Sequence, residues 1–198
     1  MSDKIICFGD SNTYGYDIRS FLGGRFPKES RWTGILDKSS DFEVINYGEN
    51  GREIPSSQEE LKRFDRILKL EAPFDLLIVM LGTNDLLNIF HPDMEKILYR
   101  MAAFLYHVLE QPDINQDSSK ILLIAPPPTR LERIDSSAAG FDHISKEFSA
   151  AYRKLASTLG IHFADAGKWN IDLGADGIHF TETGHRSFAE NLRKILTH

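Results

Sequence analysis

Three side chains near the two ends of the sequence could together cleave an ester. Ser11 lies in a Gly-Asp-Ser-Asn segment at residues 9–12, and Asp176 precedes His179 by three residues. A serine hydroxyl attacks a carbonyl carbon when a base removes its proton, and histidine is the side chain best suited to that task near neutral pH. The carboxylate of Asp176 would hold the other ring nitrogen of His179 and stabilise the imidazolium.

Five short apolar runs predict the strands that would position these residues. The first run ends at Gly9, which is typical of a buried strand. The runs span residues 5–8, 43–47, 76–81, 121–125 and 161–164. Because segments with helical spacing separate them, we expect an α/β protein, a three-layer α/β/α sandwich with a central, mostly parallel five-stranded sheet.

Four segments carry apolar residues at helical spacing. Ser57 and Glu60 form a capping box before the first segment. Asp93 can cap the second, and Gly160 stands where the third should end. The third is predicted as one helix over residues 144–159, and a fourth helix closes the chain.

Polar residues follow the predicted strands, at the sheet edge where ligands bind in open parallel sheets. Besides residues 9–12, these are residues 46–52 and Gly-Thr-Asn-Asp at 82–85. Taken singly, each has an ordinary structural explanation, such as turn chemistry, a helix cap by Asn84 or a positive φ at Gly51. Their combination with the late Asp and His favours a catalytic site.

These segments together resemble the motifs of the SGNH hydrolases, also called GDSL-type esterases and lipases. The resemblance covers residues 8–185 in matching order, and residues 31–34, 80–85 and 176–181 are most similar to the aryl-esterase/acyltransferase branch. One departure is Asn12, which stands where the GDSL name has leucine. Because it follows the nucleophile, we expect this change to affect the pocket wall more than the chemistry.

The resemblance implies a flavodoxin-like SGNH hydrolase fold and a serine esterase without a cofactor. It also implies an oxyanion hole, the set of donors that stabilises the negative oxygen of the tetrahedral intermediate. The donors would be the backbone N–H groups of Ser11 and Gly51 and the side-chain amide of Asn84. Gly48 is the second choice for the glycine, since it lies in the same turn.

We therefore predict an enzyme that hydrolyses or transfers acyl groups of small-molecule esters, short-chain ones in particular, through an acyl-Ser11 intermediate. A lysophospholipase, a thioesterase and a carbohydrate acetylesterase of the same superfamily stay open, because all need the same triad. Outside enzymes, the sheet pattern also fits a flavodoxin-like binding module, although the sequence lacks a glycine-rich phosphate loop.

The residues expected to line the substrate pocket lie next to the motifs. They are Asn12, Tyr14, Trp32, Arg52 and Ile178. The aromatic residues of positions 14–32, Phe21 among them, either wall an acyl site or pack the loop or a subunit contact. Arg52 either contacts an anionic substrate or is an ordinary solvated arginine, and residues 88–92 and 126–141 could border the cleft.

Two carboxylates, Asp10 and Asp85, flank the reactive residues. We expect them to accept hydrogen bonds from backbone amides, because the triad already supplies a base. A catalytic metal is not expected, since Asp176, His179 and His185 do not have the spacing of a zinc site.

Composition limits the class of protein further. The 198 residues, 26% charged and 41% hydrophobic, fit a single hydrolase domain over residues 1–198. A net charge of −6 argues against nucleic-acid partners, and the apolar stretches are too short to span a membrane. The single Cys7 excludes an intrachain disulfide and suits a cytoplasmic location. The resemblance also suggests a homo-oligomer, since members of this branch often assemble.

Overall fold

The computed structural model describes residues 2–20, 22–38, 41–89 and 91–197. These residues form one five-stranded sheet with the order β2-β1-β3-β4-β5, in which every neighbouring pair is parallel. The strands lie close to the predicted runs, and they are β1 (Asp3–Gly9), β2 (Phe42–Gly48), β3 (Leu76–Met80), β4 (Ile121–Ala125) and β5 (His162–Asp165).

Helices connect the strands and cover the sheet. They are α1 (Ser11–Tyr14), α2 (Trp32–Asp37), α3 (Gln58–Glu71), α4 (Thr83–Leu87), α5 (Met94–Leu109), α6 (Ala139–Ser145), α7 (Phe148–Leu159) and α8 (Glu182–Leu196). Within the described ranges, no helix has both the length and the apolar character needed to cross a bilayer.

Alternate residues of the strands face opposite sides of the sheet and build two cores. Phe8 and Val79 belong to the core under α3, α5 and α7, whereas Cys7 and Ile78 belong to the core under α2 and α8. The predicted three-layer sandwich is confirmed, because helices pack on both faces of a buried parallel sheet.

The helix ends that local chemistry predicts are present. The Ser57 side chain accepts from the backbone N–H of Glu60, and the Glu60 carboxylate accepts in return from the N–H of Ser57, which completes the capping box. Asp93 caps α5 with its side chain, and Gly160 ends α7 in the left-handed region at φ +68°. These partners satisfy backbone groups that a helix end would otherwise leave unpaired.

The single helix predicted over residues 144–159 is wrong, because the chain turns between α6 and α7. The Asp142 carboxylate accepts hydrogen bonds from the N–H groups of Leu131 and Glu132, and the Ser145 hydroxyl accepts from the N–H of Thr129. α6 therefore serves as a support for the loop that follows β4, and α7 starts afresh on the sheet.

The strand order reverses between β1 and β3, because the chain passes from β1 to the β2 edge and then returns to the other side of β1. Ligands of open parallel sheets bind at such a switch point, beyond the carboxyl ends of the strands. α1 and α4 begin within two or three residues of the ends of β1 and β3. The fold thus brings Ser11 and Asn84 to the same edge of the sheet.

Candidate active site

Ser11 and His179 are hydrogen-bonded although 168 residues separate them. The Ser11 hydroxyl lies 2.9 Å from His179 Nε2. Ser11 is the first residue of α1, and Asp10 caps this helix by accepting from the backbone N–H of Asn12 at 2.9 Å. The short turn after β1 therefore places the hydroxyl at the sheet edge, where the loop before α8 delivers the imidazole.

Asp176 holds the other side of the same imidazole. One carboxylate oxygen lies 2.5 Å from His179 Nδ1, and the other accepts from the backbone N–H groups of Ile178 and His179, each at 3.0 Å. Partial burial alone would raise the pKa of Asp176, but these hydrogen bonds outweigh it and lower the pKa below its ordinary value. An ionised Asp176 favours the tautomer with hydrogen on Nδ1, which leaves Nε2 free to accept from Ser11.

Tyr16 packs against the imidazole. Its ring centroid lies 4.7 Å from that of His179, and its backbone N–H donates to the Ser11 carbonyl. Tyr16 belongs to the aromatic stretch whose role the sequence left open, and its ring lines the cleft described below. Other members of that stretch pack inward, as Phe26 does beneath the loop, and Phe21 lies outside the described residues.

Gly51 and Asn84, the other two oxyanion candidates, lie beside Ser11 in one cleft. Gly51 adopts a positive φ of 75°, a conformation that a side chain would strain. The Asn84 amide donates one hydrogen to the Arg52 carbonyl at 3.0 Å, and this fixes the orientation of the amide. An NH₂ group carries a second hydrogen, so Asn84 keeps one donor for a ligand.

Gly48, the second choice, has a different reason to be glycine. A Cβ atom at this position would collide with the backbone of Thr13 and Tyr14. Gly48 therefore allows β2 to approach α1 closely, and it lies in a neighbouring cleft rather than in the one that holds Ser11.

The cleft around Ser11 has a volume of about 730 Å³ and a mixed lining. Its polar side is formed by the three residues of the hydrogen-bonded chain and by the amides of Asn50 and Asn84. Its apolar side includes Ile18, Ala175 and Ile134, and Ile134 lies in the predicted border segment 126–141 with 60% of its surface exposed. A carbonyl next to Ser11 would thus lie in a cleft that offers both hydrogen-bond donors and apolar groups.

The predicted pocket positions of Asn12 and Trp32 are wrong. Trp32 has no exposed surface, and its indole N–H donates to the Asn12 carbonyl at 3.0 Å. The Asn12 amide is buried and bonds to the backbone at Ile178 and Phe180. Both side chains therefore belong to the packing beneath the site, because hydrogen bonds draw them away from the cleft.

The other three predicted pocket residues also lie outside the lining of this cleft. They are Tyr14, Ile178 and Arg52. The ring of Tyr14 is covered by the Arg25 guanidinium, and the carbonyl of Ile178 accepts a hydrogen bond from the Asn12 side chain. Arg52 is not a solvated arginine: it stacks on the Phe8 ring and donates to the carbonyls of Gly9 and Tyr47. It therefore holds the turn that carries Gly51, and it lines the neighbouring cleft beside Gly48.

Asp10 and Asp85 accept backbone hydrogen bonds, as expected from the sequence. Asp85 accepts from the N–H of Ile54 at 3.0 Å, while Asp10 caps α1. Burial raises the pKa of each carboxyl to about 6.

Arg100 is a supporting residue that the sequence did not reveal. From α5 its guanidinium pairs with Glu53 at 2.9 Å and Asp85 at 2.8 Å, and it donates to the Ile54 carbonyl at 3.0 Å. It therefore ties the segment after Gly51 to the helix that carries Asn84. No local signal indicates this role, because an arginine on a helix is ordinarily a surface residue.

In segment 88–92, Asn88 also donates to Glu53, and Phe90 lies outside the described residues.

His185 does not join Asp176 and His179 in a metal site. It is buried in α8 beside the rings of Phe26 and Phe180, and its Nδ1 lies 3.5 Å from the backbone N of Trp32. Over the described part of the chain, no group of three or more His, Cys, Asp or Glu side chains could hold a metal ion.

Comparisons with known proteins find one matching family and several similar folds. Residues 7–187 match the model of the GDSL-like lipase/acylhydrolase family. The structure is similar to that of an aryl esterase from M. smegmatis, with 29% sequence identity, a TM-score of 0.84 and 99% of each chain covered. It is also similar to a carbohydrate acetylesterase from Sinorhizobium meliloti, with 26% identity, a TM-score of 0.82 and 99% of each chain covered. In the comparison with curated protein sequences, none matches the chain.

Proposed function

Because this chain belongs to the GDSL-like lipase/acylhydrolase family and is a serine-dependent carboxylic ester hydrolase, we propose that it cleaves small esters of short acyl groups through an acyl-Ser11 intermediate. The observation that carries the proposal is the continuous hydrogen-bonded chain from the Ser11 hydroxyl through His179 to Asp176. This arrangement activates a serine without a metal or cofactor.

Each residue has a defined part in the proposed reaction. As Ser11 Oγ bonds to the carbonyl carbon, His179 Nε2 takes the hydroxyl proton and Asp176 stabilises the imidazolium. The carbonyl oxygen becomes an oxyanion, which the N–H groups of Ser11 and Gly51 and the Asn84 amide stabilise. When the C–O bond to the alcohol breaks, the leaving oxygen receives the proton from Nε2. Water or another alcohol then attacks acyl-Ser11 by the same steps and releases the acid or a new ester.

The form of the cleft supports short acyl groups. The apolar area of the lining includes Ile18, Ala175 and Ile134, and Ile134 is largely open to solvent. An acetyl or butyryl group would cover this area, whereas the outer part of a longer chain would stay in water and gain little binding energy.

A carbohydrate acetylesterase is a second candidate, and a neighbouring polar cleft favours it. This cleft of about 800 Å³ shares Asn50 and Gly51 with the first, and the exposed side chains of Glu49 and Arg63 also line it. Amide and carboxylate groups are suitable partners for sugar hydroxyls. An alcohol leaving group with several hydroxyls could therefore extend from Ser11 into this second cleft. The similar protein from Sinorhizobium meliloti is described as a carbohydrate acetylesterase.

Three expectations from the sequence remain part of the proposal. Residues 1–198 would act as one hydrolase domain, and a cytoplasmic location fits the single, buried Cys7. The exposed rings of Tyr99 and Tyr106 on α5 support a homo-oligomer.

Labelling with a fluorophosphonate, followed by peptide mass spectrometry, tests the nucleophile. We expect one adduct, on Ser11, and no labelling of Ser11→Ala, while the control Ser119→Ala reacts like the wild type.

A p-nitrophenyl ester series from acetate to octanoate tests the acyl group, and kcat/KM should be highest for the short esters. An adduct on another residue, or full turnover by Ser11→Ala, would refute the proposal.

A further inference from the structure

Every polar group of Asn12 has a hydrogen-bond partner. Its backbone N–H donates to Asp10 at 2.9 Å, and its carbonyl accepts from the Trp32 indole at 3.0 Å. Its side-chain oxygen accepts from the N–H of Phe180 at 2.9 Å, and its side-chain nitrogen donates to the Ile178 carbonyl at 3.1 Å. The residue is therefore held in one place and one orientation.

The two side-chain partners of Asn12 lie on either side of His179. The Ile178 carbonyl belongs to the peptide unit before His179, and the Phe180 N–H belongs to the peptide unit after it. One buried amide thus holds both peptide units that meet at the Cα atom of His179. Because Asn12 is bonded directly to Ser11, the nucleophile and the base are connected through a single fixed side chain.

We propose that Asn12 is a positioning residue, which sets the distance between His179 and Ser11 by clamping the backbone on both sides of the imidazole. The inference rests on the proposed roles of Ser11 and His179. It replaces the expectation that position 12 shapes the pocket wall, since the Asn12 side chain points away from the cleft lining and toward the loop that carries His179.

Only an amide of this length can make both hydrogen bonds. The Phe180 N–H needs an acceptor and the Ile178 carbonyl needs a donor, and the Asn side chain supplies one of each. Leucine has a similar volume but offers neither, so it would leave both backbone groups unpaired. Aspartate keeps the acceptor but would place a second oxygen against the Ile178 carbonyl.

The loop around His179 has other supports, so it should stay folded when Asn12 is changed. The Asp176 carboxylate closes the turn before His179, and the N–H of Gly174 donates to the His179 carbonyl at 2.7 Å. A β-bridge also joins Leu173 to Phe180. These contacts fix the shape of the loop, whereas the Asn12 amide fixes its position relative to α1.

Kinetics of Asn12→Leu and Asn12→Asp on a short p-nitrophenyl ester test the proposal. We expect kcat to fall by about 10–100-fold in both variants, because a displacement on the order of 1 Å costs up to about 100-fold in rate. KM should change by less than about threefold, since Asn12 does not line the cleft. The rate of fluorophosphonate labelling should fall in parallel with kcat.

A matched control separates positioning from a general loss of stability. Asn191→Leu removes a partly buried amide whose side chain donates to the Ser187 carbonyl within α8, and it should keep wild-type kcat. Proton NMR gives a second readout. The wild type should show a downfield resonance of the His179 Nδ1 proton that is absent in His179→Ala, and this resonance should broaden or shift in the Asn12 variants.

The outcomes distinguish this inference from the proposed function. Activity that survives in His179→Ala would overturn both. The positioning role alone would be overturned if His179→Ala loses activity while Asn12→Leu keeps wild-type kcat and an unchanged downfield resonance. If Asn12→Leu does not fold, Asn12→Asp decides, because it is nearly the same size and still removes the bond to Ile178.

Discussion

The guanidinium group of Arg100 lies 2.8 Å from the carboxylate of Asp85, a side chain that has no exposed surface. Even with this partner, burial raises the pKa of Asp85 to about 6. The pair joins α5 to the helix of Asn84, and through Glu53 and Ile54 the same guanidinium reaches the segment after Gly51. Two of the proposed oxyanion donors therefore depend on one ion pair.

Removing Arg100 should destabilise the protein strongly. Arg100→Met leaves the buried Asp85 carboxylate without its partner, and because 27% of the Arg100 side chain is exposed, we expect a cost of about 1–3 kcal/mol. We expect the free energy of unfolding in urea at pH 7 to fall by that amount. The double variant Arg100→Met/Asp85→Asn should recover more than half of the loss, because the uncompensated charge is gone. If the losses of stability in the single variants Arg100→Met and Asp85→Asn simply add up in the double variant, the coupling is contradicted. Arg66→Met, on the exposed face of α3, serves as the control.

Removing the Asn84 amide should affect turnover rather than substrate binding. Asn84→Ala loses a donor that would strengthen its bond only as the oxyanion forms, so kcat should fall about 10²–10³-fold with little change in KM. Steady-state kinetics on a short ester measure both constants. Asn88→Ala, just after the same helix, removes an amide that lies outside the cleft lining and should cost far less. Equal losses in kcat and in binding would instead place Asn84 in ground-state recognition.

The buried imidazole of His185 should make the protein sensitive to acid. Burial, with a smaller contribution from Arg31, lowers the pKa of His185 to about 3. Below about pH 6.5 the imidazole of His185 binds a proton in the unfolded chain but not in the folded protein. The contribution of His185 to stability is therefore complete above pH 6.5 and is lost as the pH falls toward 3. Between pH 7 and pH 5 this amounts to about 2 kcal/mol.

His185→Phe should remove that dependence and keep the ring packing against Phe26 and Phe180. Urea unfolding at pH 7 and pH 5 should show the stability of the variant rising relative to the wild type by about 2 kcal/mol at the lower pH. Asp10, with its raised pKa of about 6, changes the stability in the opposite direction as the pH falls. Because the wild type and the variant both contain Asp10, its effect cancels when the two are compared. His162→Gln, at an exposed site, is the control. If the variant and the wild type differ in stability by the same amount at pH 7 and at pH 5, His185 is not the acid-sensitive group.

The features that the sequence predicted correctly have local causes. β1, β3 and β4 each contain a continuous apolar run, and the capping box of Ser57 and Glu60 lies within four residues, so neither depends on the rest of the chain. The break between α6 and α7 was missed because its cause is tertiary. The polar groups of Asp142 and Ser145 bind a loop more than ten residues earlier.

The same distinction explains the candidate site. The types and order of Ser11, Asp176 and His179 indicated the chemistry, because few combinations of residues suit it. The contacts of Asn12 and Arg100 could not be predicted, since their partners lie far away in sequence, 166 residues in the case of Asn12 and Ile178. Pocket residues chosen by their closeness to a motif failed for this reason, since hydrogen bonds turned Trp32 and Asn12 inward.

The distance along the chain between Ser11 and His179 has a consequence for protein synthesis. At about 5–20 residues per second, a ribosome needs roughly ten to thirty seconds to add the 168 residues that separate them. During that time the nascent polypeptide already contains the serine but has neither the proposed base nor the loop that carries it. We therefore expect the unfinished protein to be inert toward esters, with hydrolytic capacity arising only once translation has passed the imidazole.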